Sequence, residues 1–101
     1  MKKAIVFKIK TNKKAIWDDW CVQLSTHFLQ EATLSLVEEK VLQELTLGFS
    51  LNGEHFVVGF MNGDCLPANM EREVNNIHQK MKAECLERVS EAEILYDITT
   101  R

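Results

Sequence analysis

LTLGFSLNGEHFVVGF, residues 45–60, carries a turn at its centre and two unlike faces. A type I′ turn needs positive φ at both central residues, and Asn52-Gly53 supplies the pair that tolerates it best. That turn fixes a register: Leu51 opposes Glu54, Phe49 opposes Phe56, Leu47 opposes Val58 and Leu45 opposes Phe60, all on one face. On the other face Ser50 meets His55, Gly48 meets Val57 and Thr46 meets Gly59. The first face is almost wholly apolar; the second is small, mixed and flat.

Working outward, residues 4–10 (AIVFKIK) alternate as a half-buried strand, with Ile5, Phe7 and Ile9 on one side and Ala4, Val6, Lys8 and Lys10 on the other. Thr11-Asn12 offers a helix cap. Trp17, Trp20, Cys21, Leu24, Phe28 and Ala32 then recur at helical spacing, and the spacing predicts a helix running to about Val37. After the hairpin, Asp64 and Pro67 suit a helix start. Met70, Val74, Ile77, Met81, Cys85 and Val89 form that helix's apolar stripe. A last strand is expected over 92–98, with Ile94, Tyr96 and Ile98 on one side.

The order is β-α-β-β-α-β, the split pattern of a ferredoxin-like α+β fold. Right-handed crossovers put two helices on one face of a four-stranded antiparallel sheet. The helices are expected over Phe7, Leu47, Phe49, Phe56 and Phe60. Val6, Thr46, Gly48, Val57, Gly59 and Met61 are then left on an open face, which a second copy of the sheet would cover.

Length and composition narrow the field. The chain has 101 residues, 46% hydrophobic and 27% charged, which fits one domain over 1–101 and excludes disorder. Six of the twelve basic residues precede Ala15, yet the net charge is −3 and no aromatic interleaves those lysines. A solvated strand edge explains them better than nucleic-acid binding. Lys8 interrupts the early apolar run too soon for a signal peptide, and no stretch approaches membrane-spanning length. Three cysteines without a CxxC pair read as reduced thiols of a cytoplasmic protein.

The chain resembles the dimeric α/β-barrel superfamily, in which ferredoxin-like protomers pack sheet against sheet. The resemblance rests on IVFKIK (5–10), the Trp-containing first helix, LNGEHFVVGFMNGD (51–64) and HQKMKAEC (78–85) before EAEILYDI (91–98). The superfamily includes antibiotic-biosynthesis and haem-degrading monooxygenases, muconolactone isomerases and stress-response barrels. Within it the chain is most similar to a family of small bacterial proteins with no assigned function. The resemblance implies a homodimer and, in several members, a pocket between helices and sheet. The haem-degrading branch has an axial histidine on its second helix, where His78 stands, but the rest of that site has no counterpart here.

These readings give a set of candidates. His78 is the candidate base at a pocket mouth. Trp20, Phe28, Phe60, Met81 and Cys85 are candidate linings of an apolar, aromatic ligand pocket. Val6, Thr46, Val57 and Met61 are the candidate dimer interface. His27 and Glu31 share a helix face at i, i+4, but no spacing ties them to His78, so no metal and no cofactor are expected. Cys65 lies near a helix start with no base close in sequence. The expected function is binding of a small apolar or aromatic molecule, with oxygenase- or isomerase-like chemistry if the protein turns it over. The alternative is a non-catalytic interaction or stress-associated module, its core filled by Trp17, Trp20, Phe28 and Met81.

Overall fold

The hairpin forms as its sequence dictates. Asn52 and Gly53 take φ of +53° and +77°, and the ladder from Leu45↔Phe60 to Leu51↔Glu54 has the register read above. The computed structural model describes residues 1–100. Its elements are β1 (Lys2–Ile9), α1 (Lys14–Ser25), α2 (Leu29–Glu38), β2 (Val41–Leu51), β3 (Glu54–Gly63), α3 (Glu73–Cys85) and β4 (Leu86–Ala92). The fold is α+β, with three helices and one four-stranded sheet in the order β2-β3-β1-β4, antiparallel throughout. That order is compatible with the split ferredoxin-like pattern; the first helical segment departs from it by breaking in two.

The two faces of the hairpin are the reverse of those expected, while Phe7 under the helices and Val6 on the open face stand as read. Phe7 pairs with Val57 and Val6 with Val58, and directly opposed antiparallel residues share a face. Ile5, Phe7, Ile9, Thr46, Gly48, Val57, Gly59 and Met61 therefore form one face, and it is the helices that cover it. The core joins Ile9, Val57 and Leu86 to Trp17, Trp20, Val74 and Cys85. Bulk explains the choice: α1 brings two tryptophans, which need small residues beneath them. A Cβ built on Gly59 would stand 3.8 Å from the Phe7 ring, in ordinary van der Waals contact. The greasy face, with Val6, Leu45, Leu47, Phe49, Phe56, Val58 and Phe60, is the uncovered one. Leu47 is 53% and Phe49 46% exposed, and the Phe49 and Phe56 rings stack at 5.1 Å on that surface.

Of the expected interface residues, only Val6 lies on the open face. Val57 is 3% exposed in the core, and Thr46 and Met61 share its side of the sheet.

Three boundaries also move. The expected first helix breaks at Thr26–Phe28, where the Ser25 and Thr26 hydroxyls donate back to the carbonyls of Cys21 and Val22 and compete with the helix ladder. The break lays Phe28 against Trp20, ring centroids 5.6 Å apart. Thr11 and Asn12 form a turn, and α1 begins after Lys13 with no side-chain cap.

The second change is at α3, which starts at Glu73 and not near Asp64. Residues 64–72 make a loop whose backbone is satisfied locally: Asn69 Oδ1 accepts from Glu71 N–H, and Asn75 and Asn76 donate to the carbonyls of Asn69 and Met70. The third is the last strand, which is Leu86–Ala92 and not 92–98. The spacing of Cys85 and Val89 imitates a helix, but the free edge of β1 takes the segment, Leu86 pairing with Ile9. Ile94, Tyr96 and Ile98 are exposed and outside any strand.

Candidate functional site

A cavity of about 340 Å³ lies beside the tryptophan core, between α2, α3, the sheet and the 64–72 loop. Leu36, Met61, Met70 and Val74 give it apolar walls, and Glu44, His78 and Lys82 face it together. A smaller space of about 80 Å³, bounded by Trp17, Phe7, Val57 and Leu86, opens on the same three polar residues and on Met61. The polar trio therefore sits where the two spaces meet.

Each member has a structural reason for its place. His78 and Lys82 are one helical turn apart on α3 and point the same way. Glu44 stands on the helix-covered face of β2, opposite Met61 on β3. The Trp20 indole N–H donates to His78 Nδ1 at 2.9 Å. An indole nitrogen can only donate, so Nδ1 is the acceptor and the neutral ring carries its proton on Nε2. No buried polar side-chain atom among the described residues lacks a partner, so Nε2, which has no protein partner among them, is open to solvent, on a residue that lines both spaces.

The charges follow from these surroundings. Burial, with Lys82 nearby, pushes the His78 pKa down to about 4, so the ring is neutral at pH 7. Glu44 is exposed by area. Desolvation by the walls still raises its pKa, with Glu39 adding to the shift and Lys82 opposing it. Lys82 Nζ lies 5.5 Å from the centre of the Phe7 ring and makes no ion pair among the described residues. Glu39, by contrast, is engaged: its carboxylate accepts from the Ser35 hydroxyl at 2.6 Å, and Ser35 Oγ accepts from Asn75 at 2.7 Å.

Of the expected pocket residues, His78 lines the cavity, and its ring is held by the Trp20 indole. Its Nδ1 lone pair is occupied and its Nε2 already carries the proton. Trp20 lies behind it, 2% exposed and packed on Phe28. Met81 packs against the core, and Cys85 is fully buried within it. Phe60 is on the opposite face of the sheet, paired with Ala4 and Leu45.

His27 and Glu31 do not join His78. His27 is exposed with its edge on Phe28, and Glu31 accepts the backbone N–H of Val74 at 3.1 Å. Among the described residues no group of three His, Cys, Asp or Glu is arranged to hold a metal ion. Cys65 is exposed, while burial pushes the thiols of Cys21 and Cys85 up.

Glu44 and Lys82 escape a reading of the sequence alone. Glu44 stands one residue outside the hairpin stretch, although the same alternation runs through Glu44, Thr46, Gly48 and Ser50. The i, i+4 pair of His78 and Lys82 was the available signal for the helix side.

Residues 3–100 match the model of a family of unknown function (DUF6176), and the chain belongs to that family. No curated protein and no solved structure matches it.

Proposed function

We propose that this member of a family of unknown function is a homodimeric small-molecule-binding protein, two ferredoxin-like protomers closed into an α/β barrel. The ligand is compact, with an apolar body against Met61, Leu36 and Val74 and a polar end at His78, Glu44 and Lys82. The observation that carries this is the cavity. At about 340 Å³ it falls at the lower end of the range for ligand sites, and it is apolar with a few converging polar groups. The rival, a module with a filled core, is supported by Trp17 and Trp20, which do fill the space between α1 and the sheet. The cavity lies beside that packing, so a filled core and a ligand site coexist. Free thiols suit a reducing, cytoplasmic setting.

Dye binding tests the site. The polarity-sensitive dye 8-anilinonaphthalene-1-sulfonate is expected to bind the wild type and be displaced by small aromatics. Ala32 lines the cavity, and Ala32→Phe fills part of it. Loss of displaceable binding in a folded Ala32→Phe protein supports the reading; unchanged binding there would mean the cavity is not the site.

A further inference from the structure

Most of the groups around the cavity are already engaged. Glu39 holds Ser35, Asn75 holds Ser35 and the 64–72 loop, and Glu31 holds the start of α3. Four are not: the Gln79 amide, which faces the larger space alone, and the Glu44 carboxylate, the His78 Nε2–H and the Lys82 ammonium, which face both spaces. Of these last three, one is an acceptor in a partly apolar setting and two are donors, and all three meet at the junction of the two spaces.

Resting on the binding reading above, we infer that this junction is built to remove a proton from a carbon next to a carbonyl group. Glu44 is the base, and His78 Nε2–H and Lys82 receive the oxyanion. The substrate class is a compact ketone or related carbonyl compound with an apolar body.

The step balances without a cofactor. A Glu44 oxygen takes the α-proton, and the C–H electron pair becomes the carbon–carbon double bond. The carbonyl π pair moves onto oxygen, where the imidazole N–H and the ammonium hold it. When the proton on Glu44 trades with solvent before a proton returns to the same carbon, the result is exchange; return to a conjugated carbon further along gives isomerisation. A neutral imidazole suits the donor role, because its remaining N–H can polarise a carbonyl without first surrendering a proton. A carboxylate with its pKa lifted by desolvation is a stronger base than a solvated one. The smaller space of about 80 Å³ accommodates the small substituent on the far side of the carbonyl.

The test follows deuterium in phenylacetone incubated with the full chain in D2O. Amide shifts over Asn75–Lys82 report binding in the same sample. The expected result is a localised shift together with wash-in faster than buffer. Glu44→Gln should keep the shift and the fold while losing at least about 100-fold in exchange, the lower bound for a positioned general base. Glu44→Asp should restore part of it. The rate of the wild type should rise with pH above the usual carboxylate range, with Glu39, His78 and Lys82 as the other ionisable groups facing the site.

Binding with exchange at the buffer rate, or exchange untouched by Glu44→Gln, overturns the inference and leaves the binding reading intact. Absence of any shift with phenylacetone also overturns the inference, while the binding reading falls only with the dye result.

Discussion

A single donor decides what His78 can do. Trp20 lies 58 positions away in the chain, and its indole N–H on Nδ1 leaves the ring its Nε2–H to donate. The same burial makes His78 a source of acid sensitivity. Its pKa is about 4 when folded against 6.5 ordinarily, so between those values the unfolded chain binds more protons. Stability is therefore full above pH 6.5 and falls as pH drops toward 4, by about 3 kcal/mol at most. Glu44 acts in the opposite sense, because its raised pKa favours the folded state at lower pH, and its open position weakens the effect. Glu38, held below its usual range by Arg72, adds loss only at more acid pH. Urea melts from pH 7 to 4 should show the decline, and His78→Gln should flatten it in that window. An equally steep decline in His78→Gln would remove His78 as its cause. The residue itself was legible in the sequence as a candidate; its tautomer was not, because no local pattern records which distant side chain will donate to it.

At the scale of elements, the pieces are held at their ends more than the sequence discloses. Glu31 on α2 accepts the Val74 N–H and so caps α3 from a neighbouring helix, while Arg72 grips both oxygens of Glu38 at 2.8 Å. These contacts pin the lip of the cavity where the 64–72 loop meets α2. Glu31→Ala should cost about 1 kcal/mol, a typical capping loss, and lower the melting temperature by about 4–8 °C for a domain of this size. An unchanged melt would show that the α3 N-terminus finds its partner elsewhere. Gly63 is stricter. Its φ is +141°, and a Cβ there would stand 2.3 Å from the Lys40 carbonyl and 2.8 Å from Val41 Cα. Gly63→Ala should cost more than the about 1–3 kcal/mol of ordinary backbone strain, read by the same melts, because backbone and not a flexible side chain must move. A melt matching the wild type would place the β2–β3 junction differently. Periodicity identified the first three strands and the helical character of 14–38 and 73–85. It misplaced 64–72 and 86–92 because one is a loop sustained by asparagine side chains and the other a helical-looking run captured by a free sheet edge.

At the scale of the whole molecule, the question set by LTLGFSLNGEHFVVGF is which face needs a cover. The protein measures 37 × 35 × 21 Å, and its thinnest dimension accommodates one sheet and one layer of helices, each about 10 Å deep. Among the described residues no helix covers Val6, Leu45, Leu47, Phe49, Phe56, Val58 and Phe60, and Leu45, Leu47 and Phe49 are exposed. Strands of 7 to 11 residues, spaced about 4.8 Å apart with about 3.3 Å per residue, give that face a projected area of roughly 600 Å² before side-chain relief. This approaches the about 800 Å² per partner of a standard interface, and a patch of that size is seldom left to water. In the proposed homodimer a second copy covers this surface, through an isologous two-fold contact. Two substitutions on adjacent positions of one β3 ladder separate the faces. Val58→Asp should give a folded monomer of 11.7 kDa by sedimentation, because it places a charge in the interface alone. Val57→Asp should fail to fold, because it buries a carboxylate beside Trp17 and Trp20 at a cost of several kcal/mol. The reverse pattern would restore the face assignment that the alternation first implied. A Val58→Asp protein sedimenting with the wild type as a dimer would move the interface off the sheet, and with it the barrel. The turn and register were readable because Asn-Gly dictates them locally. The choice of face was not, since it depends on which surface is small enough to receive the tryptophans of α1, and that is settled only when strand and helix meet.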